Sequence, residues 1–215
     1  MAALIVKVLL AYLLGSVSGS LLLGRLKKVD IRSLGSGSAG GTNAFRTQGL
    51  VFALGVVVID IGKGFIAARW IPLIDFGGPA SVLAPDLLVM ACAFAAVLGH
   101  CFPLWHGFRG GKGAATAVGA MLVIEPWLLL PLLLVWLVTL VMTGYVGLAT
   151  VLAGFSLIPA AWAMNNHPLM VFAAVMALFL LFTHRENMRK LRNGTENRFE
   201  RIRIFSRKRQ AGPGT

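Results

Sequence analysis

Seven apolar stretches alternate with short polar segments along the chain, at about 3–24, 47–71, 85–105, 113–124, 127–143, 146–163 and 168–183. Stretches of this length and character predict helices that cross a bilayer. A hydrocarbon core of roughly 30 Å takes about 20 helical residues. Segment 113–124 is short for that on its own, and the three that follow are marginal. The pattern therefore predicts an all-α integral membrane protein of about seven transmembrane helices, with five as the alternative count.

The polar positions add an orientation. With the N-terminus outside, segments 25–46, 106–112, 144–145 and everything from 184 onward face the cytoplasm. They hold Arg25, Lys27, Lys28, Arg32, Arg46, Arg109, Lys112 and ten further Lys and Arg from Arg185 onward. Segments 72–84, 125–126 and 164–167 hold none. This asymmetry predicts an outside N-terminus and a cytoplasmic C-terminus, with Lys7 snorkelling at the outer face. The opening stretch resembles a signal peptide, but its apolar run resumes at Leu21–Leu23 and stops at Arg25-Leu-Lys27-Lys28. That pattern reads as a retained helix. We expect one polytopic domain over 1–205 and a basic, disordered tail over 206–215.

Composition agrees. The chain is 57% hydrophobic and 13% charged, against about 25% charge in an ordinary soluble domain. The net charge of +12 in a soluble protein would suggest nucleic acid. Here it follows from positive loops facing an anionic inner leaflet, so no nucleic-acid partner is expected. Cys92 and Cys101 lie in one apolar stretch, where a disulfide is not expected, and read as small packing residues.

Three polar clusters fall on the predicted cytoplasmic side. The first is DIRSLGSGSAGGTNAFR, Asp30–Arg46. Gly35, Gly37, Gly40 and Gly41 stand within seven residues, which no helix interior tolerates. Glycines let backbone N–H groups converge on an anion. Ser36, Ser38, Thr42 and Asn43 add donors, and Arg32 and Arg46 add charge.

The second cluster is GHCFPLWHGFRGGKGAAT, Gly99–Thr116. It fails the nucleotide phosphate-loop spacing, because His106 stands five before Gly111 and Gly113 follows Lys112. A general anion site remains, with Arg109, Lys112 and the N–H groups of Gly110, Gly111 and Gly113 ahead of a helix start.

The third cluster, HRENMRKLRNGTE, His184–Glu196, follows the last apolar stretch. If helical, it sets His184, Asn187 and Leu191 on one face. Read alone, it is also a membrane-surface anchor. Within 47–71, Asp60 and Lys63 form an i, i+3 pair at membrane depth that reads as a structural ion pair lining the site.

The carboxylates and histidines lack the spacing for a metal centre, and there is no GxSxG elbow. We therefore expect neither metal nor cofactor. The remaining chemistry is positioning and anion stabilisation around an already activated substrate.

These residues resemble the bacterial acyl-phosphate-dependent glycerol-3-phosphate acyltransferases, small polytopic enzymes with three cytoplasmic motifs. The first motif is carried by Gly15-Ser16, Gly24-Arg25, Asp30-Ile-Arg32, Gly35-Ser36-Gly37, Thr42-Asn43 and Arg46. The second is carried by Gly99-His100, Phe102-Pro103 and Phe108–Gly113, and the third by His184, Asn187, Leu191, Gly194 and Glu196. Departures stand at Ser38 and Gly41, where the family commonly has Asn and Ala, and near Ser18 and Gly147, where it often has Pro and Ser.

The resemblance implies acyl transfer from acyl phosphate to the 1-hydroxyl of sn-glycerol 3-phosphate. The products are lysophosphatidic acid and inorganic phosphate, in the first step of phospholipid synthesis. It implies a bacterial inner-membrane enzyme whose site is built from glycine-rich cytoplasmic loops. The acyl-phosphate head would rest on Ser36, Ser38, Thr42, Asn43 and Arg46, with Arg32 nearby. Glycerol 3-phosphate would rest on Arg109, Gly110, Gly111, Lys112 and Gly113. Ser36, His184 and Asn187 would act at the reacting atoms, with His184 or a donor phosphate oxygen as base. No obligate protein partner is implied. The main alternative is a transporter for a phosphorylated solute, which the charge-free outer segments and the lack of an internal repeat disfavour. A scaffold acting through its basic tail is the other.

Overall fold

The computed structural model describes residues 1–77 and 82–199; the tail expected over 206–215 lies outside them. Ten α-helices account for most of the described chain. They are α1 (Ala2–Gly15), α2 (Gly19–Leu26), α3 (Gly41–Gln48), α4 (Leu50–Arg69), α5 (Pro85–Cys101), α6 (Ala114–Ile124), α7 (Leu129–Thr143), α8 (Val146–Ala163), α9 (His167–Thr183) and α10 (Arg185–Arg192). Every apolar stretch forms a helix.

By length and composition, α4, α5, α7 and α8 are each able to span a membrane. Each of α4, α5 and α7 does so with an adjoining 3₁₀ turn. The bent pairs α1–α2 and α9–α10 raise the number to six if each counts as one span. Segment 113–124, expected among about seven spans, forms only the 11 residues of α6. Leu130, Leu133, Leu134 and Leu137 of α7 stay exposed, and Leu140 is the one buried residue on that helix. So much apolar surface suits lipid rather than water.

Where helices meet, small residues let backbones approach. A Cβ added to Gly64 of α4 would meet the Thr116 backbone, and one added to Gly119 of α6 would meet the Ile61 backbone. The α8–α9 side is built differently, from interdigitating side chains such as Leu157, Phe172 and Met176. Cys92 and Cys101 are buried, free thiols on α5.

The break between α1 and α2 is closed by the ion pair of α4. Lys63 Nζ donates to the carbonyls of Gly15 (2.8 Å) and Val17 (2.6 Å) at the end of α1. Asp60 Oδ1 accepts from the Gly19 N–H at the start of α2 (3.2 Å). Each charge sits at the helix end whose dipole it opposes. The two groups are 3.1 Å apart, and His100 Nδ1 completes a triad 2.8 Å from Lys63 Nζ. An ammonium only donates, so it makes Nδ1 the acceptor and leaves the ring proton on Nε2.

This arrangement gathers the end of α1–α2, all of α3, the C-terminal ends of α5, α7 and α9, the starts of α6 and α8, and α10 at one end of the bundle. The opposite end is nearly free of basic residues. It carries Arg69, in the last turn of α4 rather than in a loop. It also carries Lys7, whose ammonium donates to the Pro72 carbonyl (2.8 Å).

Candidate active site

At the polar end, three helices begin around one cavity of about 160 Å³. α3 starts after Gly40, α6 after Gly113 and α8 after Tyr145, and none has a side chain capping its first turn. Gly40, Gly41 and Thr42, then Gly113, Ala114 and Ala115, then Val146 and Gly147 line the space. Uncapped helix starts present N–H groups and positive dipole ends, the arrangement that binds phosphate. Arg46 and Lys112 add full charges. Lys112 is held below the ordinary lysine range, chiefly by burial; Lys190 and Arg46 reinforce this and Glu196 opposes it. Burial also lowers Arg46, against Glu196.

Asn43 is buried, and its amide is fully engaged by the first cluster. Its Nδ2 donates to the carbonyls of Ile31 (3.0 Å), Leu34 (3.0 Å) and Ser38 (2.9 Å), and its Oδ1 accepts from the Ser36 N–H (2.9 Å). Asn43 also lines the cavity, but its amide hydrogens are engaged by loop carbonyls, so in this state the side chain shapes the loop. Ser36, Ser38, Thr42 and Arg46 line the cavity beside it.

Arg32, expected near the acyl-phosphate head, does not line this cavity. Its guanidinium grips both oxygens of Asp30 and donates to the carbonyls of His106 (3.0 Å) and Arg109 (3.2 Å). It straps the first loop to the second, outside the cavity. The Ala39 N–H adds a bond to the Gly110 carbonyl (3.3 Å).

In the second cluster, Arg109 is exposed and lies outside the cavity. The N–H groups of Gly110 and Gly111, expected to be open to an anion, donate to the carbonyls of Cys101 (3.1 Å) and His100 (3.1 Å). A Cβ on Gly111 would strike the His100 ring. Glycine here permits close approach to α5. Lys112 is the side chain this loop delivers, held in place as its own carbonyl accepts from Thr183 Oγ1 (2.9 Å).

The third cluster joins them. Lys112 Nζ donates to Asn187 Oδ1, and Asn187 Nδ2 donates to Glu196 Oε1 (2.6 Å). His184 is buried, with Nδ1 2.8 Å from the Leu180 carbonyl. A carbonyl only accepts, so Nδ1 carries the proton and Nε2 has the free lone pair. Gly147 lies where α8 meets α10: a Cβ there would lie 2.8 Å from Asn187 Cβ.

Sequence reasoning did not assign site roles to Glu196, Thr150 or His100, which line the cavity together with Asp60, expected to line the site as part of an ion pair. Glu196 and His100 stood within the motifs. Thr150 had no signal beyond its nearness to Gly147.

Two further spaces adjoin. At the loop side, a mouth of about 220 Å³ shares Ser36, Ser38, Arg46, Lys112, Asn187 and Glu196 with the cavity and adds Gly110, Gly111, Arg185 and Lys190. Toward the bundle, an apolar space of about 270 Å³ runs among α4, α6, α7, α8 and α9. It shares Val57, Ala114, Ala115 and Thr150 with the polar cavity.

A family model described as glycerol-3-phosphate acyltransferase matches residues 5–194. Among similar curated proteins are glycerol-3-phosphate acyltransferases of Chlorobaculum parvum and Listeria monocytogenes. The first is 38% identical, over 87% of this chain and 93% of the relative. The second is 39% identical, over 90% and 95%. Two crystal structures of PlsY, an integral membrane glycerol 3-phosphate acyltransferase, are 33% identical and cover 93% of this chain and 96% of theirs. One is its glycerol 3-phosphate form, with a TM-score of 0.81, and the other its lysophosphatidic acid form, at 0.79.

Proposed function

The chain belongs to the glycerol-3-phosphate acyltransferase family, and from that premise we propose that its acyl donor is acyl phosphate. The fatty acyl group passes to the 1-hydroxyl of sn-glycerol 3-phosphate, and lysophosphatidic acid and inorganic phosphate leave. The observation that carries this reading is the junction of the two inner spaces. A cavity ringed by helix starts, Arg46 and Lys112 opens through Val57, Ala114, Ala115 and Thr150 into an apolar slot. A donor with a phosphate directly on its acyl carbon needs an anion site that close to a tail site.

In this reading the donor phosphate rests on the starts of α3 and α6, with Ser36, Ser38, Thr42 and Arg46 around it. Its acyl chain lies in the slot. Glycerol 3-phosphate enters by the mouth, and its phosphate meets Lys112, Lys190 and Arg185. Asn187, fixed between Lys112 and Glu196, orients the attacking hydroxyl, and His184 Nε2 accepts its hydrogen bond. The hydroxyl oxygen bonds to the carbonyl carbon, its proton passes to the base, and the carbon–oxygen bond to phosphate breaks. The leaving group is good enough that no covalent enzyme intermediate is needed. The single domain lies in the bacterial inner membrane with its N-terminus outside and this site on the cytoplasmic side.

The test is product formation by purified protein in detergent, given glycerol 3-phosphate and palmitoyl phosphate. Phosphate and lysophosphatidic acid should appear in equal amounts, and acyl-CoA or acyl carrier protein donors should give neither. Product from acyl-CoA at a comparable rate would overturn the donor assignment.

A further inference from the structure

A separate cleft of about 410 Å³ lies outside the catalytic cavity, where α2 ends beside the second loop. Leu21, Gly24, Arg25, Lys28, Arg32 and His106 line it, with Asp30. Its charges are unbalanced. The Asp30 carboxylate is taken up by Arg32. Among the described residues, Arg25 and Lys28 have no side-chain hydrogen bond or ion pair. After burial, Arg25 and Arg32 are what lower the pKa of His106, so their field converges on this space.

Lys28 is the telling residue. The Val29 N–H donates to the Gly24 carbonyl (2.8 Å) and the Lys28 N–H to the Arg25 carbonyl (3.2 Å), which closes α2 in a Schellman turn. The turn puts Lys28 at φ 54°, in the left-handed region where glycine is the usual and least strained residue. The backbone would prefer glycine, whereas lysine delivers an ammonium to the cleft.

Beside it, α2 exposes Leu22 and Leu26, four residues apart on one face, and Trp105 stands exposed next to His106. A soluble phosphate compound has no use for such a border, whereas acyl chains do. We propose that this cleft holds the headgroup phosphate of an anionic membrane phospholipid between Arg25 and Lys28, with its chains along Leu22 and Leu26.

The full-length protein in detergent would be titrated with phosphatidylglycerol and with phosphatidylcholine, and bound lipid counted by native mass spectrometry. Phosphatidylglycerol should bind in preference. Lys28→Gly and Arg25→Gln should each weaken it about fivefold, and the double variant should bind both lipids alike. Lys28→Gly relieves the turn, so its Tm should equal or exceed the parent's, which separates lost binding from lost folding. A preference that survives in the double variant would overturn the proposal. So would displacement of phosphatidylglycerol by equimolar inorganic phosphate or glycerol 3-phosphate, which would assign the cleft to a soluble ligand.

Discussion

The two glycine-rich loops look alike in composition and are built in opposite ways. In the first, one buried side chain, Asn43, satisfies three carbonyls and one N–H, and so shapes the loop. Its hydroxyls and Arg46 are left for the cavity. In the second, backbone N–H groups of Gly110 and Gly111 are tied to the end of α5, and Lys112 is the side chain presented. One loop is rigid because a side chain holds it, the other because its glycines let it lie against α5 and the His100 ring. Glycine richness at a phosphate site therefore has two separate physical meanings.

The largest test of that contrast is Lys112→Ala. It should lower kcat/KM for glycerol 3-phosphate by roughly 10²–10³-fold, the range for removing one preorganised donor. Tm should hardly change, since an ammonium whose pKa burial has lowered adds little to folding. A large fall in Tm would make Lys112 structural.

Asn43→Ala should act the other way round. Loss of its bonds leaves buried groups unpaired, each costing about 1–3 kcal/mol, so Tm should drop clearly. Turnover should fall by about tenfold to a hundredfold as Ser36 and Ser38 lose position. Unchanged thermal unfolding would mean the loop is held by something else.

A smaller effect separates charge from shape at Lys112. Its charged form is favoured less than the ordinary value of 10.5 implies. Affinity for the glycerol 3-phosphate dianion should therefore be full at lower pH and decline as pH rises through that lowered pKa. In a plot of KM against pH, Lys112→Arg should remove the rise, because a guanidinium keeps its charge. A rise of equal size in both proteins would place the titrating group elsewhere. Smallest of all, Arg109→Ala should leave kcat and KM within about threefold, the range of exposed charges at a distance from a site. A loss above tenfold would return Arg109 to the substrate.

Much of the molecule could be read before any coordinates. The apolar runs marked the helices to within a few residues, because burial in lipid is a property of each segment by itself. The gathering of basic loops and of the three clusters at one end was legible for the same reason. Ser36, Ser38, Thr42, Arg46, Lys112, His184 and Asn187 were expected at the site, and all line the cavity.

What the sequence did not reveal is how hydrogen bonds are divided among residues of like chemistry. Arg32 and Arg46 are both arginines in one loop, yet the first reaches carbonyls 74 and 77 residues away and the second faces the cavity. The break after Gly15 was hidden within one apolar run, because it is stabilised by Lys63 and Asp60, more than 40 residues along the chain. Hydropathy and composition by themselves determined the helices, the membrane and the polar face. Only the tertiary structure decided which donors are used up within the protein and which remain for a ligand, because each donor's partner is brought to it by packing between distant segments.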